Sequence, residues 1–352
     1  MSKTMEVLAI TDSHKCEVRT VTRPEPSEGE VLIKINGCAL CTYEQRMFTR
    51  QAPTPLPVVG GHEITGEIAG VGEGVDPEEY PVGKKVAVRL INSCGKCYFC
   101  RRGEENLCIN INSKKSSQSE IPGSGGLGQY VVVPIQKLWD IPQELPVEKA
   151  VFAEPLACVL NSIKKGKIEL GDDVVVIGGG IMGMLHIMCA KLSGARVTLS
   201  EPDPERRRLA EKLGCNYTVN PMETDPVEFV KSITKGFGAE TVFNTTPISA
   251  VAAQAVEMVA PMGRVVMYSS QHPDKPIEMS PNWIHKTEAI ITGAVSPSVR
   301  SFDTAVNLIS KGLIDTSHLV SGVYDYHDGT EAFEAAIRPD TFRIVVKFTD
   351  SL

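Results

Sequence analysis

The apolar positions in the first 150 residues come in short β-type runs at 5–10, 31–37, 64–71, 85–90 and 129–134. Turn-forming clusters such as PEPSEGE separate them. Runs of this length, bounded by Gly and Pro, predict a β-rich, partly barrel-like domain. The polar, Gly/Ser-rich stretch 112–128 is expected to be a surface loop. From about Glu154 the period changes. Strand-like runs at 173–177, 196–200, 240–244 and 263–268 alternate with helical patterns at 181–192, 204–213 and 249–259. That alternation predicts βαβ units, and so an α/β, doubly wound parallel sheet of Rossmann type with helices on both faces. One more amphipathic helix, 302–311, and a last strand, 344–348, close the chain. No internal repeat or low-complexity tract interrupts this layout.

Composition narrows the partners. A chain of 352 residues with 42% hydrophobic residues fits two domains with sizeable cores. The net charge of −7 argues against nucleic acid or an anionic membrane surface as the main partner. No stretch approaches the roughly 18 consecutive apolar residues of a membrane span. The opening MSKTMEVLAITDSHK lacks a signal-peptide layout and carries Glu6 and Asp12, so a soluble, cytoplasmic protein is expected. Ten cysteines without an export signal then point to metal or redox chemistry rather than a disulfide framework.

The strongest local signal is Gly178-Gly179-Gly180-Ile181-Met182-Gly183, which follows the apolar run Val174–Ile177 and opens a helical pattern. In that context GxGxxG reads as a dinucleotide loop. Gly178 permits the turn, Gly180 lets the backbone approach a pyrophosphate, and Gly183 lets the helix pack on the strand. The N–H groups of Ile181, Met182 and Gly183 at the helix start favour the diphosphate. Glu201 ends the next strand, eighteen positions past Gly183, where a carboxylate accepts hydrogen bonds from ribose hydroxyls and repels a 2′-phosphate. NAD is therefore expected over NADP. Arg206, Arg207 and Arg208 follow closely; they read as a solvated helix face, with Arg206 the candidate cofactor contact.

Cys94-x2-Cys97-x2-Cys100-x7-Cys108 gathers four thiols on one short loop, as a closed, tetrahedral structural zinc site requires. A ferredoxin-type cluster would place the fourth cysteine three residues on and follow it with Pro; here seven residues intervene and Ile109 follows. A redox CxxC pair would need only two of the four. The other cysteines, apart from Cys41, read as small buried residues. Cys41, in GCALCTYEQR, and His62-Glu63, in GGHEITGEIAG, supply a thiolate, an imidazole and a carboxylate, the mix used by a catalytic zinc with an open position. Glu154, in FAEPLACVL, is a further carboxylate within reach of such a metal.

A cysteine after a strand, GHE, CxxCxxCx7C, EPLA and GxGxxG, in that order along essentially the whole chain, resemble the zinc-containing medium-chain alcohol dehydrogenase superfamily. Glu154 in EPL is similar to the sorbitol and polyol dehydrogenase branch; threonine and sugar-phosphate dehydrogenases share much of the layout. The resemblance implies a GroES-like catalytic domain over 1–153, with 296–352 returning to it, and a Rossmann domain inserted at 154–295. It implies two zinc ions per chain. Cys41 and His62 would ligate the catalytic one, with Glu63 or Glu154 completing the set, and Cys94, Cys97, Cys100 and Cys108 would hold the structural one. It also implies a homodimer or homotetramer acting on a small-molecule alcohol.

One departure stands out. Where the family has Gly, then Ser or Thr, then Asp after the ligand cysteine, this chain has Thr42-Tyr43-Glu44. The proton relay then falls to the phenol of Tyr43 or the hydroxyl of Thr42, or Tyr43 only shapes the pocket. Arg46 replaces a histidine frequent in the family and is a candidate for an anionic substrate group. The expected chemistry is zinc-assisted hydride transfer from a secondary alcohol, polyol-like, to NAD. The alternatives are a threonine or sugar-phosphate dehydrogenase, a binding protein that keeps the fold without turnover, and a zinc-free reductase, which both ligand sets disfavour.

Overall fold

The computed structural model describes residues 3–111, 119–271 and 273–348. Residues 112–118 of the expected loop and His272 lie outside the described residues. The chain divides into two compact units, Met1–Pro155 with Phe302–Leu352, and Leu156–Ser301.

The first unit begins with β1 (Thr4–Asp12), β2 (Lys15–Thr22), β3 (Glu30–Ala39), α1 (Thr42–Phe48), β4 (Glu63–Val71), β5 (Lys85–Arg89), β6 (Tyr130–Pro134), β7 (Leu138–Asp140) and α2 (Val147–Ala150). Then come α3 (Ala153–Gly166), β8 (Asp173–Ile177), α4 (Ile181–Leu192), β9 (Arg196–Ser200), α5 (Pro204–Lys212), β10 (Tyr217–Val219), α6 (Pro226–Ile233) and β11 (Ala239–Asn244). The second unit ends with α7 (Ser249–Glu257), β12 (Val259–Met267), α8 (Pro281–Thr287) and β13 (Ile290–Gly293). The chain closes with α9 (Val299–Ser310), β14 (Val320–Asp325), α10 (Gly329–Ala336) and β15 (Arg343–Lys347).

In the first unit β1 and β2 form an antiparallel hairpin, and seven strands form a sheet in the order β14-β15-β3-β4-β5-β7 with β6 also on β3. Within that seven-stranded sheet, among the described residues, β14 and β15 pair in parallel and the other strand pairs are antiparallel. Alternating residues explain the core: Ile33 and Ile35 of β3, Ile64 and Ile68 of β4, and Val86 and Val88 of β5 are all buried. Phe48 of α1 stacks on Phe333 of α10 with ring centroids 4.8 Å apart, closing one side of this core.

The second unit is a six-stranded parallel sheet in the order β10-β9-β8-β11-β12-β13. Its central strand β8 buries Val174, Val175, Val176 and Ile177 in succession, because helices cover both faces of a parallel sheet. The winding reverses between β8 and β11, and the carboxyl ends of these two strands are where such a sheet binds a ligand. Thr245 ties them together, its hydroxyl donating to the carbonyls of Ile177 at 2.8 Å and Gly178 at 3.1 Å. Among the described residues no helix is long and apolar enough to cross a membrane.

Candidate active site

Cys41 sits where β3 gives way to α1. Its backbone is extended (φ −86°, ψ 170°), and its Sγ accepts the Tyr43 N–H at 3.2 Å, so the thiol itself caps the helix. α1 buries Glu44, Met47 and Phe48, positions i, i+3 and i+4 of one face. Met47 and Phe48 join the apolar core. Glu44 is wholly buried beside them and finds polar partners instead.

Those partners are the Gly61 N–H and His62 Nδ1, both 3.0 Å from Glu44 Oε1. Gly61 has φ +86°, and a Cβ there would lie 2.7 Å from Cys38 Sγ and 2.8 Å from the Gly126 backbone, so only glycine makes this turn into β4. The turn aims His62 Nε2 at Cys41 Sγ, 3.6 Å away. Glu63 opens β4; its Oε1 accepts from Arg343 Nη2 at 2.5 Å, while Arg343 Nη1 donates to the Leu40 carbonyl at 3.2 Å. Donor atoms of Cys41, His62 and Glu63 all lie within 4.8 Å of one another.

The electrostatics of this cluster fit a cation. Burial, reinforced by Glu44, pushes the Cys41 thiol up to about 12 against the pull of His62. Burial also pushes the Glu63 carboxyl up to about 8; Arg343 opposes the shift and Glu154 adds to it. Burial works the other way on His62, yet the charges of Glu44 and Cys41 hold its imidazole well above the ordinary histidine value. For Glu44 burial raises and the His62 ring lowers, and with the hydrogen bonds from His62 and Gly61 the carboxyl settles at about 2. Glu44 Oε2 and Glu63 Oε2 are buried with no hydrogen-bond partner among the described residues. A divalent cation at Cys41, His62 and Glu63 would relieve this crowding of acidic groups, and a sulfur, nitrogen and oxygen donor set suits zinc. Glu154 lies buried in the first turn of α3, outside the three-donor group but close enough to act on Glu63. Thr42 and Tyr43 follow Cys41 with exposed side chains, and Arg46 is half-buried a turn further on.

The four-cysteine loop also closes on itself. The sulfurs of Cys94, Cys97, Cys100 and Cys108 lie within 4.8 Å of one another. Cys108 Sγ accepts the Cys94 N–H at 3.3 Å and the Asn110 N–H at 3.4 Å. The backbone N–H groups of Lys96 and Cys97, with Asn110 and Cys108, pull the Cys94 thiol down to about 6 against burial, which favours a thiolate ready to bind metal. All four are free thiols, and the all-sulfur set matches a structural zinc site.

In the second unit the glycine loop joins β8 to α4. A Cβ on Gly183 would stand 1.8 Å from the Gly178 carbonyl oxygen, whereas one on Gly180 would meet nothing within 4 Å. The loop is thus closed at its helix and open towards a ligand. Ile181, Met182 and Gly183 form the first turn of α4, and Met184 N–H bonds back to the Gly180 carbonyl at 2.9 Å. Glu201, just past β9, borders the loop: its Oε2 accepts the Gly179 N–H at 2.5 Å and its Oε1 the Asp203 N–H at 2.9 Å. Arg206 also packs there, its Cβ 3.3 Å from where a Gly179 Cβ would be. Glu44, Arg343 and Thr245 join these sites although the sequence alone gives them no role.

Residues 27–143 match the alcohol dehydrogenase GroES-like domain, and residues 182–311 match the zinc-binding dehydrogenase family. The L-threonine 3-dehydrogenase of Pyrococcus horikoshii is 31% identical over 350 residues, covering 97% of this chain and 98% of its own. The sorbitol dehydrogenase of Bacillus subtilis is 26% identical over 339 residues, covering 95% and 94%. Among solved structures, a zinc-binding dehydrogenase from Sinorhizobium meliloti 1021 with NADP bound superposes with a TM-score of 0.89 at 26% identity, covering 98% of this chain and 100% of that one. An alcohol dehydrogenase from E. coli CFT073 with NADH bound superposes with a TM-score of 0.88 at 25% identity, covering 99% and 100%. With both family matches in order and relatives aligned from end to end, the chain belongs to the zinc-containing medium-chain alcohol dehydrogenase superfamily and is an NAD(P)-dependent dehydrogenase.

Proposed function

We propose that the protein oxidises the secondary hydroxyl of a small polyhydroxylated substrate, with NAD+ rather than NADP+ as acceptor. The observation that carries the reading is the convergence of Cys41, His62 and Glu63 within 4.8 Å, with Glu44 bonded behind His62. Cys41 and His62 would hold the catalytic zinc, with Glu63 or Glu154 completing its ligands; Cys94, Cys97, Cys100 and Cys108 would hold the structural one. Bound at the first site, zinc supplies the Lewis acidity that lets an alcohol ionise near neutral pH.

The chain's own groups do the rest. Glu44 fixes the His62 ring, leaving Nε2 as the ligating nitrogen and raising its basicity. Arg343 offsets the charge of Glu63 and holds that carboxylate in place. The hydroxyls of Thr42 and Tyr43, one and two residues past Cys41, are the candidates to carry the substrate proton to solvent. The glycine loop receives the dinucleotide diphosphate, and Glu201 at its edge disfavours a 2′-phosphate on the adenosine ribose. NAD+ supplies the hydride acceptor.

A hydroxy amino acid is the second reading, favoured by the 31% identity with the P. horikoshii threonine dehydrogenase. The test is reduction of NAD+ and NADP+ by the purified protein over polyols, sugar phosphates, threonine and simple secondary alcohols, with and without a zinc chelator. Chelator-sensitive turnover of polyols with NAD+ is expected. Turnover confined to threonine would select the second reading, and zinc and cofactor binding without any turnover would leave a binding protein of the same fold. Equal use of NADP+ would remove the role given to Glu201.

A further inference from the structure

His186 lies in the middle of α4, and its side chain is wholly buried. An alanine or leucine would fill such a place without a polar group to satisfy. Its Nδ1 is 2.7 Å from the Met182 carbonyl oxygen and its Nε2 is 2.9 Å from Ser162 Oγ on α3. The rings of Phe243 and Tyr268 pack on it, each with its centroid 4.8 Å away. A carbonyl can only accept, so Nδ1 carries the proton and Nε2 accepts from the Ser162 hydroxyl, itself buried. Both ring nitrogens are thus assigned.

We propose that His186 is a positioning residue for the dinucleotide diphosphate, acting through the Met182 carbonyl on the Gly183 N–H. The inference rests on the cofactor reading given above. The Met182 carbonyl and the Gly183 N–H belong to one rigid peptide plane. In a helix that carbonyl points towards the C-terminus and the N–H towards the N-terminus, where the diphosphate is expected. Holding the oxygen therefore sets the aim of the N–H. The first turn cannot be steadied from position 183, because any side chain there would strike the Gly178 carbonyl oxygen. His186 steadies it from one turn behind, and Ser162 anchors the ring in turn.

Two substitutions separate the two edges of the ring. In His186→Asn the amide nitrogen occupies the place of Nδ1 and keeps the bond to Met182. In His186→Gln it occupies the place of Nε2 and loses that bond while still reaching Ser162. Calorimetric titration with NAD+, ADP and AMP should show His186→Gln binding NAD+ and ADP about three- to tenfold more weakly, the weight of one hydrogen bond. AMP, which lacks the diphosphate, should be unaffected, and His186→Asn should restore NAD+ and ADP binding to within about twofold of the parent. In turnover the KM for NAD+ should rise in His186→Gln while kcat at saturating cofactor stays within about twofold. Equal losses for the Asn and Gln variants, or an equal loss for AMP and ADP, would overturn the proposal and leave His186 as a packing residue. A parent protein that binds neither NAD+ nor ADP would instead overturn the cofactor reading, and this inference with it.

Discussion

Removing the carboxylate of Glu44 is the sharpest probe of the proposed metal site, because Glu44 touches His62 and Gly61 but is not itself among the three converging donors. Glu44 Oε1 serves two donors at 3.0 Å, the Gly61 N–H and His62 Nδ1, in a wholly buried position. Glu44→Gln keeps the shape and one accepting oxygen but gives up the charge. Hydrogen bonds to a charged group contribute about 1.5–3 kcal/mol and neutral ones about 0.5–1.5 kcal/mol. The loss is therefore about 1 kcal/mol, or roughly fivefold in zinc affinity. Glu44→Ala removes the acceptor altogether. It leaves the Gly61 N–H buried without a partner, at about 1–3 kcal/mol, and frees the His62 ring to turn, so the combined effect should approach 100-fold. The assay is a competition titration of zinc against a chromogenic chelator, run beside kcat/KM for the best substrate of the panel. The four-cysteine site serves as an internal reference, because neither substitution touches it. A Glu44→Ala protein that keeps the parent's affinity at the Cys41–His62–Glu63 site and its rate would refute the reasoning, and the Glu44–His62 bond would then be packing only.

Gly183→Ala should lower NAD+ affinity more than about tenfold, because the new Cβ would fall 1.8 Å from the Gly178 oxygen and push α4 off the loop; calorimetry reads the affinity and circular dichroism checks the fold. Cys100→Ser should cost one zinc ion per chain by metal analysis and lower the melting temperature by more than about 5 °C, since among the described residues the apolar cluster of this loop is its own thiols and Phe99. Burial lowers the His186 imidazole to about 4, below the roughly 6.5 of a free histidine, so the unfolded chain binds the extra proton between those values. Stability from this group is then complete above about pH 6.5 and falls by about 3 kcal/mol as pH drops towards 4. Urea melts across that range should be flatter by about that amount in His186→Asn, and parallel curves for the two proteins would contradict the assignment.

How far the fold was legible depended on whether each element wears its burial on its own sequence. β8 and α4 coincide with the expected runs 173–177 and 181–192, because β8 is buried on both faces and a glycine loop punctuates the junction. β2 carried no such signal. Lys15–Thr22 is mostly polar and buries only Val21, pairs with β1 alone, and owes its strand to that partner rather than to its own pattern. The expected strand 263–268 starts late for a similar reason: β12 begins at Val259, and its pairing with β11 slips in register before Arg264.

The proposed metal site divides along the same line. The residue types of Cys41, His62 and Glu63 could be read locally, but their meeting is a consequence of register. β3 and β4 pair so that Ala39 stands opposite Glu63, which brings the residues just past the one and just before the other together. Arg343 arrives from 280 positions away, because β15 pairs with β3 through Val345 and Ala39; nothing near Arg343 in the sequence points to Glu63. Glu44 is different, because a signal was present. It lies three and four positions before Met47 and Phe48, on the stripe of α1 that faces the core. A carboxylate on a helix's apolar stripe must either be neutral or meet hydrogen-bond donors, since burying the bare charge costs far more than a seven-residue helix can return. With Cys41 capping the helix one turn earlier, the nearest donor a metal site would provide is the histidine that shares its ion, and the demand of Glu44 for a partner was already a pointer to His62.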